Sequence, residues 1–176
     1  LFVAERHHDQ LKNPISGWMG HAAPFAFTDD YQPAKGVSRM LAGTPPILAM
    51  TALDCGVELI AEIGIAPLVA KSRALMAFFI DGVAESCPDL PCVSPVDPTQ
   101  RGSHLSFRHP DAYAICQALI AQGVIGDFRD PDLIRFGFAP AYVRFEDAAR
   151  AVGALAQVLQ DETYLNDEFR CRAAVT

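Results

Sequence analysis

The stretch that decides the fold is RGSHLSFRHPDAYAICQALIAQGVIGDFRDPDLIRFGF, residues 101–138. Its first part alternates apolar and polar residues, with Leu105 and Phe107 on one side, which is the pattern of a half-buried strand. A helix is predicted to begin near Asp111 and to end at Gly123, a residue suited to the position just past a helix. "VIGDF" and "LIRFGF" then predict two further strands, joined by the turn "RDPD".

Helices are predicted on both sides of this stretch. Thr44 can cap a helix ahead of Pro45, and apolar residues then recur at helical spacing until Gly64. A second helix is predicted to begin near Pro67 and to end by Pro88, and "FEDAARAVGALAQVL" predicts a last amphipathic helix. "PCVSP" is a short strand candidate. We therefore expect an α+β fold in which helices pack on a small, mostly antiparallel sheet.

The two ends of the chain differ from this regular part. The segment 1–4 could finish a strand, "ERHHDQLKNP" predicts a short helix or turn, and 15–43 is irregular with many turn signals. The apolar start "LFVAER", without a polar leader, indicates a fragment of a longer protein. We divide the chain into a first segment (1–43), a linking helix (44–64), a small α+β domain (65–160) and a polar tail (161–176). We expect this tail to be frayed.

Composition excludes some classes of function. The net charge is −7 without a cluster of Lys or Arg, which argues against nucleic acid and against an anionic membrane surface as partners. The longest apolar run is too short for a bilayer span, and the sequence gives no indication of a signal peptide. Five cysteines without a C-x-x-C pair argue against a disulfide framework or a zinc site, so we expect a reducing, cytoplasmic location.

Few residues offer catalytic chemistry. The patterns of serine hydrolases, zinc proteases and P-loop nucleotidases are absent from the sequence. His7, His8 and Asp9 could bind a metal, but adjacent histidines point apart, so a solvated turn is favoured and we expect no metal. The chain has three lysines, and none lies in the apolar context that favours a Schiff-base role: Lys12, Lys35 and Lys71.

Several other residues could bind an anion. Arg135 within "LIRFGF" either points to solvent or reaches into a cleft, where its planar fork suits a carboxylate. Trp18 in "SGWMGH" offers one N–H donor, although a lone tryptophan is more often a packing residue. Thr44 offers a hydroxyl beside a helix N-terminus, where phosphate can bind, or serves only as a cap. Arg101 lies in an anion nest or, as we favour, in a plain turn.

Four motifs, taken in order, resemble the C-terminal part of the bacterial kynureninases: "SGWMGH", "YQPAKGVSRMLAGTPPIL", the first 29 residues of the stretch quoted above, and "IRFGFAPAY". The resemblance covers roughly residues 1–160 and is specific because the motifs occur together. It implies a pyridoxal 5'-phosphate (PLP) enzyme of the aminotransferase-like fold type I, acting as a homodimer. That family hydrolyses L-kynurenine to anthranilate and L-alanine, or its 3-hydroxy derivative to 3-hydroxyanthranilate and L-alanine, in tryptophan degradation and NAD biosynthesis. This chain would be its small C-terminal domain with the trailing edge of the large domain.

The resemblance also implies roles for individual residues. Trp18 matches the tryptophan that hydrogen-bonds the cofactor phosphate, and Thr44 matches a residue that reaches the phosphate from the neighbouring subunit. Arg135 matches the arginine that holds the substrate α-carboxylate, and Gly43 matches a position near the substrate ring. The Schiff-base lysine of the family precedes "LFVAER" in the family pattern. We therefore expect this chain to hold no catalytic residue of its own and to be inactive alone.

Two other interpretations stay open at this point. The chain could belong to another fold type I enzyme, such as an aminotransferase or a desulfurase. Desulfurases use a loop cysteine as their nucleophile. Cys92 in "PCVSP" is the candidate, although no activating base lies beside it in sequence. Alternatively, the chain could be a non-catalytic α+β ligand-binding module. Arg101 and Asp127 lie in motifs of the resembled family, without a role that the sequence assigns.

Overall fold

The structure is a computed structural model that describes residues 1–172. The chain forms two compact units, one over Leu1–Leu59 and one that begins at Ile60. The four segments that the sequence suggests, with their boundaries near residues 43, 64 and 160, stay predictions.

The first unit is largely irregular. It contains three short 3-10 helices, at Glu5–His7, Trp18–Gly20 and Gly36–Met40. The first confirms the short helix or turn predicted for "ERHHDQLKNP". The strand expected over residues 1–4 was wrong, because a strand needs a hydrogen-bonded neighbour and none pairs with this segment within residues 1–172.

Helix α1 spans Ile47–Ile63 and begins later than the sequence indicates. The prediction that Thr44 caps this helix was wrong. Thr44 and Pro45 each precede a proline, and a residue in that position is pushed out of the helical conformation. The carbonyl of Pro46 accepts the first helical hydrogen bond instead. The predicted end is confirmed, since the helix stops before Gly64, whose φ is +81°.

Helix α1 presents apolar side chains to solvent around much of its surface. Its exposed apolar residues are Ile47, Leu48, Met50, Leu53, Val57, Leu59 and Ile60. Among residues 1–172 no single helix is long and apolar enough to cross a membrane; α1 and the helix that follows it meet that criterion only when counted together, across a sharp bend.

The second unit is an antiparallel sheet with helices. Its strands are β1 (His104–Arg108), β2 (Asp127–Arg129) and β3 (Leu133–Gly137), in the order β1-β3-β2 with both pairings antiparallel. The expected α+β architecture is therefore confirmed. "PCVSP" forms only an isolated bridge, between Cys92 and Phe107, where a short strand was the expectation. The helices are α2 (Ile65–Ser86), α3 (Ala112–Ala121), α4 (Phe145–Gln160) and α5 (Asp167–Arg170).

The core lies between the helices and one face of this sheet. The ring of Phe79 on α2 is fully buried, and its centroid lies 5.9, 4.9 and 5.2 Å from those of Phe107, Phe136 and Phe138. On α3, Tyr113 meets Phe128 of β2 edge to face at 5.5 Å. Because side chains alternate along a strand, the residues between these aromatics point to the opposite face of the sheet.

The segment after α4 is more ordered than the sequence suggests. A 3-10 helix at Thr163–Leu165 and α5 follow α4, and Tyr164 and Phe169 pack against the core. The hydroxyl of Tyr113 donates a hydrogen bond to the carbonyl of Cys171 at 3.2 Å. The frayed tail expected from residue 161 was therefore wrong up to residue 172, because two aromatic rings anchor it. Residues 173–176, also assigned to that tail, lie outside the described residues.

The N-terminus of α4 carries a pH-dependent contact. The Asp147 carboxylate accepts hydrogen bonds from the Arg144 backbone N–H at 2.9 Å and from the Arg144 guanidinium at 3.0 and 3.1 Å. The guanidinium bond and then the backbone bond lower the pKa of Asp147 from 3.8 to about 2. A carboxyl with a depressed pKa stabilises the fold above its ordinary pKa, and this contribution is lost as the pH falls through the depressed one.

We therefore expect Asp147→Asn to reduce the free energy of unfolding at neutral pH and to converge on the unsubstituted chain as the pH falls from 5 toward about 2. Urea unfolding across this pH range measures the difference between the two proteins. The control is Glu85→Gln, a change at an exposed position on α2. A difference for Asp147→Asn that stays constant with pH would contradict the account of this contact.

Candidate functional site

The turn that carries Trp18 lies directly against a later segment of the first unit. A Cβ atom built on Gly17 would come within 1.6 Å of the Ala42 carbonyl oxygen, and one on Gly20 within 2.6 Å of the Leu41 carbonyl oxygen. Real Cβ contacts are never this short, so only glycine allows the two backbones to approach. The two glycines around Trp18 therefore exist for close packing against residues 41–42.

This approach brings together three of the residues singled out from the sequence. Ala42, which touches Gly17, is followed directly by Gly43 and Thr44, so these two lie on the segment beside the Trp18 turn. Gly43 is open, since an added Cβ would meet no atom within 4 Å. Thr44 is exposed. The first unit thus places an indole and a hydroxyl on neighbouring segments.

The Trp18 ring is held on one side and open on the other. Its centroid lies 5.5 Å from that of Phe25 in an edge-to-face contact, and 47% of the residue is exposed. Among residues 1–172 the indole N–H has no hydrogen-bond acceptor. The ring also borders a cavity of about 290 Å³, lined by Trp18, His21, Ala23, Pro24, Phe27, Thr28, Asp29 and Tyr31. The arrangement leaves one donor, on a packed ring, available to an anion.

Arg135 lies on the sheet face that the core helices do not cover. It occupies the centre of β3, with Ser106 of β1 opposite on one side and Asp127 of β2 opposite on the other. A nitrogen of its guanidinium, Nη2, donates to Asp127 Oδ2, and Nη2 of Arg129 lies 3.2 Å from the same oxygen. The Arg135 side chain is 29% exposed. The Arg135 side chain therefore lies on the polar face of the sheet, paired with Asp127 and partly shielded, and its role in binding stays a prediction.

Arg101 closes a loop. Its Nη1 donates to the backbone carbonyl oxygens of Pro95 at 2.6 Å and Val96 at 3.2 Å. A guanidinium used in this way favours the plain-turn interpretation over an anion nest. This residue therefore gives no support to a second anion site.

Two of the three candidate metal ligands near the N-terminus, His8 and Asp9, are occupied by local contacts. His8 Nε2 lies 2.8 Å from the Val3 carbonyl oxygen, and Asp9 pairs with Arg39 at 3.2 Å. Within the described part of the chain, no group of three or more His, Cys, Asp or Glu residues is placed to hold a metal ion.

Two buried thiols of the second unit, Cys87 and Cys116, are poor candidates for a nucleophile. Cys116 is buried, and burial, followed by the nearby charge of Asp127, raises its pKa to about 12. Burial also raises the pKa of Cys87. Cys92 is half-buried beside the core on its bridge to Phe107. A reactive thiol needs a depressed pKa and access to substrate, so Cys87 and Cys116 do not meet this requirement.

Sequence comparison identifies relatives. The family model described as "Kynureninase C-terminal domain" matches residues 68–155, which is half of the chain. Kynureninases from Burkholderia mallei and Burkholderia pseudomallei are each 43% identical over 178 residues, and one from Pseudomonas fluorescens is 40% identical. Each alignment covers 100% of this chain but 43% of the relative. The chain thus spans less than half the length of these curated relatives.

Structure comparison identifies the fold. The apo structure of cysteine desulfurase from Thermococcus onnurineus NA1 matches with a TM-score of 0.74 and 17% identity, over 91% of this chain and 42% of that one. The complex of the cystine C–S lyase C-DES with its product cysteine persulfide gives 0.68 and 20% identity, over 88% of this chain and 41% of that one. At this identity the likeness establishes the fold alone, and it confirms the predicted fold type I class.

Proposed function

This chain belongs to the kynureninase family, and we propose that it is the C-terminal part of an enzyme that hydrolyses L-kynurenine to anthranilate and L-alanine. The match of the kynureninase domain model to residues 68–155 carries the proposal. The reaction of that family would use the two groups of donors described above, one in each unit. We propose on the same ground that the enzyme acts in tryptophan degradation and NAD biosynthesis.

The proposed cofactor is PLP, whose ring takes up electrons from the substrate during bond cleavage. The residues present fit its phosphate. Trp18 has an indole N–H without an acceptor among residues 1–172, and the exposed hydroxyl of Thr44 lies on the neighbouring segment. Both are neutral donors suited to phosphate oxygens. We infer that Trp18 and Thr44 bind the phosphate. Since the two lie on neighbouring segments of one subunit, both would reach the cofactor of the neighbouring subunit, as the resemblance implies for Thr44.

The substrate is held through its α-carboxylate. Among the described residues, the one hydrogen bond from the Arg135 guanidinium goes to Asp127, so its other N–H groups are available for a carboxylate. A fixed carboxylate fixes the rotation about the neighbouring bonds, which brings the bond to be broken into a reactive orientation. Gly43, with open space where a side chain would be, would leave room for the substrate ring.

The Schiff-base lysine is proposed to lie outside this chain. Lys12 and Lys35 are exposed and Lys71 is half-buried on α2, and none matches the family position. We also propose a homodimer, because a second subunit would bury the exposed apolar surface of α1. Five free cysteines support a reducing, cytoplasmic location.

The other two interpretations receive less support. A desulfurase would need an accessible nucleophile, and Cys92 is half-buried against the core. The cysteine desulfurase and the cystine C–S lyase resemble the chain in fold at 17% and 20% identity, whereas the kynureninases match it at 40–43%. The interpretation as a non-catalytic module does not explain why the chain matches the kynureninase domain.

Anthranilate release tests the function. The reading frame, extended upstream through its native start, is expressed and loaded with PLP. The fluorescence of anthranilate is followed after addition of L-kynurenine, and that of 3-hydroxyanthranilate after addition of the 3-hydroxy derivative. We expect release that depends on PLP, and none from the 176-residue chain alone. If a well-folded, PLP-loaded protein releases neither product, the site serves a different fold type I reaction.

A further inference from the structure

Asp127 and Arg135 face each other across the sheet. They are direct register partners of β2 and β3, so their side chains point to the same face, opposite the core. Asp127 Oδ2 accepts a hydrogen bond from Arg135 Nη2, and the two side chains are 44% and 29% exposed. The contact is therefore built into the sheet by its register.

This contact restrains the arginine without using all of its donors. A guanidinium has five N–H donors in a fixed plane, and a carboxylate partner can be bound along one edge. Within residues 1–172 the hydrogen bond of Arg135 uses Nη2, and the remaining N–H groups are not buried. A long side chain held at one end in this way loses little rotamer freedom when a second carboxylate binds.

The surroundings also keep the cluster positively charged. Arg129, two residues along β2 from Asp127, contacts the same carboxylate oxygen at 3.2 Å. Two guanidinium groups share one carboxylate, so the cluster keeps a net positive charge that can attract an anion. Asp127 thus orients the fork of Arg135 without cancelling the charge of the cluster.

We propose that Asp127 is a positioning residue, which holds the Arg135 guanidinium in the orientation that binds the α-carboxylate of an amino acid. This inference rests on the proposed function for the identity of the substrate. The contact between Asp127 and Arg135 is its structural basis.

The test compares an amino acid with its amide. In the complete PLP-loaded enzyme, calorimetric titration gives dissociation constants for L-alanine and for L-alaninamide, which lacks the carboxylate. We expect Asp127→Asn to raise the constant for L-alanine roughly tenfold, a modest effect for a hydrogen bond to a charged group, and to leave the amide unchanged. Asp127→Glu, which keeps the charge, restores part of the loss.

The matched control is Asp132→Asn. Asp132 pairs with Arg108 of the same sheet at 3.1 Å and has no proposed role at the site, so the constant for L-alanine should stay within about twofold. The proposal is overturned if Asp127→Asn leaves L-alanine binding unchanged, if it weakens acid and amide alike, or if the unsubstituted enzyme does not prefer the acid. If the enzyme shows the expected binding pattern but releases no anthranilate, the positioning role of Asp127 is supported and the kynureninase reaction is rejected.

Discussion

Replacing Arg135 by alanine in the complete enzyme is expected to lower kcat/KM for L-kynurenine roughly a hundredfold or more, mainly through a higher KM. The substitution removes a cation that would donate to both oxygens of the α-carboxylate. It also leaves Asp127 with Arg129 as its remaining cation, so the cluster loses its net positive charge. Steady-state kinetics of anthranilate release measure the change.

Two variants make this result specific. Arg135→Lys keeps the charge but not the planar fork, so we expect it to recover only a small part of the lost kcat/KM. Arg108→Ala removes another partly exposed arginine of the same sheet, paired with Asp132, and should change kcat/KM by no more than about threefold. A near-normal kcat/KM for Arg135→Ala would remove Arg135 from the binding of substrate.

The largest effect on stability is expected at Phe79. Its ring is fully buried between α2 and the sheet, where it meets three other phenylalanine rings. Phe79→Ala would leave a cavity at this junction and should lower the free energy of unfolding by about 3–5 kcal/mol. Urea unfolding of the complete enzyme, monitored at the transition that includes this unit, measures the loss.

The neighbouring phenylalanine provides the control. Phe78 is 42% exposed and meets Phe145 edge to face at 5.6 Å, so Phe78→Ala removes a ring of the same size from the same helix at a site that water already reaches. We expect a loss of about 1 kcal/mol or less. Equal losses for the two variants would mean that the core does not lie where the structure places it.

The regular part of the fold could be predicted because local patterns specify it. β1, α3, β3 and α4 occur where the alternation, helical spacing and capping residues indicate them. The errors arose where a contact distant in sequence or a paired proline decides the outcome. Thr44 does not cap α1 because two consecutive prolines follow it. The segment after α4 is ordered because Tyr164 and Phe169 pack against the core.

The candidate site was less predictable. Alternation places Arg135 on the opposite face of the sheet from Ile134 and Phe136. It does not identify the residue that faces Arg135 on the neighbouring strand, because strand register depends on the whole hairpin. The pairing with Asp127 therefore emerged only from the structure. The two glycines beside Trp18 were visible in the sequence, yet their partners at residues 41–42 were not. The roles of Trp18, Gly43, Thr44 and Arg135 stay predictions until a ligand is bound.

The central claim is that residues of this chain hold two anions, the cofactor phosphate and the substrate carboxylate. A crystal structure of the complete enzyme with PLP and L-alanine bound tests it most directly. We expect the Trp18 indole N–H and the Thr44 hydroxyl to donate to phosphate oxygens, and Arg135, still held by Asp127, to donate to the L-alanine carboxylate. A Trp18 N–H turned away from the phosphate, or a carboxylate bound by a different residue, would contradict it.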